Sequence, residues 1–286
     1  MLDSIPSRLE QLADAGILGD GTPCKVISAS DVLRLADDTG VPGRIVEIAA
    51  LERGIIPDRY LRNRQSLSAK DQIQLLESRV CIVGLGGLGG LVTETLARMG
   101  IGRLTLVDGD VFEAHNLNRQ LLSRSDGLGR SKASDAENRV AAINPGIETN
   151  AVAEYLTASN APALLGECDL AVDCLDNLRS RFTLARATAQ AGIPMISAAV
   201  AGLSGHITTI FPQDKGLEAI YGPADQLKVD KGEEQLLGCL APGVNLMASL
   251  ECAEALQVLL SKENILRNRL LVVDLGDYTF ETLQLA

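Results

Sequence analysis

The chain has 286 residues, 46% of them hydrophobic and only 3% aromatic. That is enough for one large α/β domain, or a domain with a smaller appendage, around a core of mainly Leu, Val, Ile and Ala. A net charge of −11 argues against nonspecific attraction to nucleic acid or to an anionic membrane.

Residues 1–57 read as a helical appendage. Ser28-Ala-Ser-Asp puts capping residues before an apolar stripe at 32, 33, 35 and 36, and a turn at Asp38-Thr-Gly40 separates this from a second helix over 44–51 that stops at Gly54. Two short helices around a glycine turn are also the outline of a DNA-reading helix-turn-helix. Five Lys/Arg against nine Asp/Glu in residues 1–57 oppose that use, so a packing or partner-docking module is favoured.

From about Asp71 a helical lead-in gives way to strand–helix alternation. Strands are expected at 80–83, 103–108, 147–153, 170–173, 194–197 and 205–211, with helices up to Gly100, over 131–143 and over 178–191. Residues 213–237 are polar and aperiodic and read as a long loop. An apolar helix over 244–260 follows, and a hairpin of 269–274 with 278–283 ends the chain. The expected fold is α/β: a doubly wound, mostly parallel sheet over 58–286 with a C-terminal antiparallel part, preceded by the small appendage 1–57.

No run approaches the ~20 apolar residues of a membrane span, and the first residues carry neither a basic nor an apolar leader region. The six cysteines include no Cys-x-x-Cys pair. A reduced, cytoplasmic protein without membrane attachment is therefore expected.

The chemistry concentrates after the first long strand. Arg79-Val-Cys-Ile-Val feeds the turn Gly84-Leu-Gly86-Gly87-Leu-Gly89, which opens a helix, and a second strand ends on Asp108. That order places phosphate at a helix N-terminus and an acid at the ribose, and to this point an NAD-dependent oxidoreductase fits equally well. Asn116-Leu-Asn-Arg119-Gln120 then falls in the connection after the second strand, and Lys132 opens the next helix. An Arg and a Lys converging there suit a triphosphate whose leaving pyrophosphate gains charge. Asp173-Cys-Leu-Asp176-Asn177 follows an apolar strand, where a carboxylate is placed to hold Mg2+ against phosphate oxygens. Taken alone, Asp176 reads better as an ordinary helix-capping residue.

Together these motifs resemble the E1-like adenylyltransferases of ubiquitin-like sulfur carriers, the ThiF/MoeB/HesA group, from about Arg59 to the C-terminus. The resemblance implies a Rossmann-like, E1-type fold and a homodimer. It implies attack by the C-terminal glycine carboxylate of a small carrier ending in Gly-Gly, of the ThiS/MoaD kind, on the α-phosphorus of ATP. It assigns nucleotide contacts to Gly84, Gly86, Gly87, Gly89, Asp108, Asp110, Asn116, Arg119, Gln120, Lys132, Asp176 and Asn177, with Asp176 linked to Mg2+. By the same resemblance Arg64, in Asn63-Arg64-Gln65, reaches the neighbouring subunit's ATP site.

The chain departs from the family in two respects. The paired Cys-x-x-Cys motifs that hold structural zinc in many members are missing, so no zinc is expected. The position of the family's catalytic cysteine falls near Glu234; Cys239, five residues later, is the candidate catalytic thiol if the loop is shifted. It has no base or cation beside it in sequence, however, and the chemistry favoured stops at the acyl-adenylate. Two alternatives resemble the same motifs: an ATP-dependent enzyme like the tRNA threonylcarbamoyladenosine dehydratases, and an inactive E1-like partner of a heterodimer.

Overall fold

A computed structural model describes residues 5–227 and 234–285. The N-terminal unit begins with α1 (Ile5–Leu12) and a hairpin of β1 (Asp14–Ile17) and β2 (Pro23–Ile27), followed by α2 (Ala29–Thr39), α3 (Gly43–Leu51) and β3 (Ile55–Pro57). Ser28 caps α2, its hydroxyl accepting from the Asp31 amide at 3.1 Å. Gly40 ends that helix at φ 70°, a left-handed conformation glycine adopts without penalty. The two expected helices are present, but the appendage is not wholly helical. β2 pairs antiparallel with β1 and parallel with β3. These strands have three to five residues, too few for an apolar alternation to register in the sequence. Leu9, Ile27, Leu35, Val46, Ala50 and Ile55 form a core of the unit's own.

The larger unit runs through α4 (Ala69–Glu77), β4 (Arg79–Val83), α5 (Gly87–Met99), β5 (Arg103–Val107), α6 (Lys132–Ile143), β6 (Glu148–Val152), α7 (Ala161–Leu165), β7 (Leu170–Asp173) and α8 (Leu178–Ala191). It continues with β8 (Met195–Ala201), β9 (Ser204–Ile210), α9 (Glu218–Tyr221), α10 (Glu234–Leu237), α11 (Ala241–Leu259), β10 (Arg269–Asp274) and β11 (Thr279–Gln284). The eight-stranded sheet has the order β11-β10-β9-β8-β7-β4-β5-β6. Pairing is parallel from β8 to β6 and antiparallel from β8 to β11. The polar stretch 213–237 contains α9, α10 and a 3-10 turn at Ala224–Gln226, and its residues 228–233 lie outside the described residues.

Two apolar layers flank the sheet. Leu96, Val140, Val244, Met247 and Cys252 bring α5, α6 and α11 onto one face. Leu165, Phe182 and Leu184 bring α7 and α8 onto the other. Because both faces of the parallel strands are covered, they read as continuous apolar runs, as Val80–Val83 does with every residue buried. The order of strand addition switches between β7 and β4, which run parallel: β5 and β6 add on one side, β7 and β8 on the other. The crevice at the carboxyl ends of β4 and β7 is where an open α/β sheet binds ligands. Among the described residues no helix is long and apolar enough to cross a membrane.

A buried polar cluster joins the two units. Glu47, on α3, is 1% exposed in its side chain, and its Oε1 lies 3.1 Å from Arg59 Nε. The Tyr60 hydroxyl donates to Glu47 Oε2 at 3.1 Å and accepts from Asn144 Nδ2 at 3.0 Å. The Glu47–Arg59 pair is close but not aligned as a hydrogen bond, and burial pushes the Glu47 carboxyl up to about 7 against the pull of that guanidinium.

Candidate active site

The glycine turn crosses from β4 into α5 over the end of β7. Gly84 has φ +90°, and a Cβ there would lie 2.6 Å from the Cys174 carbonyl oxygen. Gly89 is tighter: its Cβ would sit 1.8 Å from the Gly84 carbonyl oxygen. Only hydrogen fits at either place, so the first turn of α5 packs directly onto the loop and aims its amides into the crevice. Gly86, the N-cap of α5, faces the Gln120 carboxamide.

Asp108, one residue beyond β5, ties this turn to the next. Its Oδ2 accepts from the Leu85 amide at 2.7 Å and its Oδ1 from the Asp110 amide at 2.8 Å. Lys132 Nζ lies 3.0 Å from Asp110 Oδ2. The lysine side chain is 8% exposed and the aspartate 49%, so a buried cation is held by an acid standing at the mouth. Arg119 donates to the Asn118 side chain at 2.8 Å and to the His115 carbonyl at 3.1 Å.

Across the crevice, the turn after β7 is held from beneath. Asp173, fully buried, accepts from the Ser197 hydroxyl at 2.7 Å and the Leu175 amide at 3.2 Å, and Arg181 lies 3.6 Å from it. Arg181 also donates to the Leu175 carbonyl, fixing the loop that presents Asp176 to the cleft. Asn177 caps α8, its Oδ1 accepting from the Ser180 amide at 2.9 Å. Glu251, buried beneath, has its carboxyl raised well above the usual range by burial and then by Asp173.

One cleft is thus lined by Gly84, Gly86, Gly87, Asp108, Asp110, Arg119, Gln120, Lys132, Asp176, Asn177 and Cys239. Three of the residues singled out in the sequence stand elsewhere. Gly89 serves packing. Asn116 is buried, its Oδ1 accepting from the Glu113 amide at 2.9 Å, which shapes the loop carrying Arg119. Arg64 donates to the Leu67 carbonyl and is not among the residues lining its own chain's cleft. Cys239 lines the cleft wall, its carbonyl accepting from Asn118 Nδ2 at 3.4 Å. Gln120 is 7% exposed, and its Oε1 has no hydrogen-bond partner among the described residues, which leaves an acceptor at the cleft for a ligand's donor.

Sequence reasoning missed Glu154, Tyr155 and Leu156, which also line the cleft. They follow β6, whose carboxyl end opens on the same side as those of β4 and β5, and that parallel placement is the signal that could have found them.

The ThiF family profile matches residues 60–286. The chain belongs to the ThiF family. It is 34% identical over 229 residues to the SAMP-activating enzyme E1 of Haloferax volcanii, covering 79% of this chain and 84% of that one. To the molybdopterin-synthase adenylyltransferase of Escherichia coli it is 36% identical over 192 residues, covering 66% and 75%. Among solved structures, E. coli MccB with ATP superposes with a TM-score of 0.69 at 21% identity, over 90% of this chain and 78% of that one. PaaA superposes with a TM-score of 0.64 at 19% identity, over 96% and 99%, so its fold spans the N-terminal unit too. This ThiF-family protein is an E1-like adenylyltransferase.

Proposed function

We propose that this ThiF-family protein uses Mg-ATP to adenylate the C-terminal glycine carboxylate of a small ubiquitin-like sulfur carrier ending in Gly-Gly. The observation that carries this is the convergence of the α5 N-terminus, Arg119, Lys132 and the carboxylates of Asp108, Asp110 and Asp176 on one crevice. Likeness to the SAMP-activating enzyme E1 and to the molybdopterin-synthase adenylyltransferase supports the carrier as substrate class. A carboxylate oxygen attacks the α-phosphorus, the bond to the bridging oxygen breaks, and pyrophosphate leaves with the electron pair. The carboxylate enters ionised, so no general base is required.

Rate comes from positioning and from fixed positive charge facing the phosphates. Lys132 is preorganised by its bond to Asp110, and Arg119 by its bonds to Asn118 and His115. Asp108 keeps lone pairs for a ribose hydroxyl beyond the two backbone amides it accepts. Asp176, exposed at the cleft and offering hard oxygen donors, suits Mg2+ and would hold it with water. The ion would supply charge neutralisation at the phosphate oxygens. In this reading Arg64 acts on the partner's cleft in a homodimer, and the thiol of Cys239 takes no covalent part.

ATP–pyrophosphate exchange with a panel of Gly-Gly-ended carriers tests the proposal. Exchange with one carrier is the expected result, and it names the pathway. Mg-ATP binding with no exchange on any carrier would overturn the carrier assignment in favour of another activated carboxylate or an inactive heterodimer partner. Mixing Arg64→Ala with Lys132→Ala subunits should restore activity, since such a dimer holds one site with both residues. No recovery would refute the trans geometry.

A further inference from the structure

Tyr155 is the one aromatic side chain among the described residues lining the cleft, in a protein with no Trp and four Tyr. Its ring lies face-on against Gly109: a Cβ at that glycine would be 2.8 Å from Cγ and Cδ2 and 2.9 Å from Cδ1. Near-equal distances to these three ring atoms mean the glycine sits under the ring face and not at its edge. The hydroxyl donates to Asp110 Oδ1, the same carboxylate whose other oxygen holds Lys132, so the ring is pinned at both ends. Its opposite face is open, the residue being 66% exposed.

We infer that Tyr155 is a preorganised stacking platform for the purine base of the nucleotide, with Gly109 kept small so that the ring can lie flat at the cleft rim. The inference rests on the nucleotide reading above and adds to it a base-contacting residue. Asp108 marks the ribose, and from there a base can extend along the rim past the end of β6, where Leu156 supplies apolar wall and Tyr155 a π face. A carboxylate holding the hydroxyl removes ring rotation before the ligand arrives, so little entropy is lost on stacking. Asp110, Asp108 and Asp176 also raise the proton affinity of the hydroxyl, which keeps it a donor at neutral pH.

The test is equilibrium binding of Mg-ATP and Mg-CTP to the full-length protein and to Tyr155→Leu, Tyr155→Phe and Gly109→Ala. Tyr155→Leu should weaken Mg-ATP by about tenfold, within the range a base–aromatic stack is worth, and Mg-CTP by less than about threefold. Tyr155→Phe, which keeps the ring, should stay within about threefold of the parent for ATP. Gly109→Ala, whose Cβ would displace the ring, should mimic the leucine variant, and unchanged melting temperatures would show that all are folded. Equal ATP affinity in Tyr155→Leu and the parent overturns the platform while leaving the nucleotide site standing. Equal losses for ATP and CTP in Tyr155→Leu would also overturn base stacking and assign Tyr155 to the Asp110–Lys132 bond. Failure of the parent to bind either nucleotide would overturn the nucleotide reading and the platform with it.

Discussion

Replacing Glu47 with Gln should change how stability depends on pH. In the folded protein the Glu47 carboxyl holds its proton up to about pH 7 because burial outweighs the attraction of Arg59, against 4.5 for an ordinary glutamate. Between those values the native state binds more protons than the unfolded chain, so this group's contribution is complete below about pH 4.5 and is lost as the pH rises through about 7. At about 1.4 kcal/mol per pH unit the full contribution is about 3 kcal/mol. His206 works in the opposite sense. Burial and the nearby Arg181 push its imidazole down to about 4, and its Nε2 lies 2.9 Å from the Tyr221 hydroxyl. Its contribution therefore grows as the pH rises from about 4 to 6.5. The two oppose each other in the parent protein, and Glu47→Gln removes one of them. Urea unfolding at pH 5, 6, 7 and 8 reads the difference between variant and parent. That difference should swing by about 2.5 kcal/mol in favour of the variant from pH 5 to 8, most of it between pH 5 and 7. Parallel curves would mean that Glu47 is ionised in its ion pair at acidic pH, and the desolvation reasoning would fail.

Gly89→Ala should cost more than about 3 kcal/mol or prevent soluble expression, because the Cβ would meet the Gly84 backbone oxygen and neither atom can move away. Gly127→Ala, where the nearest atom is 3.5 Å away, should melt within about 2 °C of the parent; equal stability of the two variants would refute the close-packed turn. Lys132→Ala should lower pyrophosphate exchange by at least about 100-fold. The cost in stability should stay below about 1 kcal/mol, since the partner Asp110 is half exposed and can be hydrated; exchange above a tenth of the parent rate would remove Lys132 from the site. Metal analysis of the purified protein should find less than about 0.1 zinc per chain, because no described group of three or more His, Cys, Asp or Glu is arranged to hold a metal. Stoichiometric zinc would overturn that reading.

The parallel sheet was legible because its strands are buried on both faces and its helices carry an apolar stripe, patterns that survive in one dimension. The glycine turn was legible for a related reason, since a left-handed residue and two close backbone approaches leave glycine at fixed spacing. The N-terminal hairpin was not, because Asp14–Ile17 is short and without alternation, and only its pairing with β2 makes it a strand. Asn116 illustrates the same limit from the other side: its block was readable as polar and functional, but which of its side chains turn inward is set by the 3-10 turn that buries it.

The residue types needed for the site, and their order along the chain, were set by local rules: a strand, a glycine turn, an acid at the next strand's end, cations in the following connection and an acid after β7. Tertiary structure alone decided which of them meet. Lys132 is held by Asp110, 22 positions away, because the chain returns to the same sheet edge. Tyr155 reaches that carboxylate from the loop after β6. Glu47 is an unusual acid only because the N-terminal unit docks on α4 and Asn144, and burial, a property of the folded whole, controls its proton. Pairing between distant segments depends on sheet order and solvent exclusion, and neither is carried by any stretch of sequence read alone.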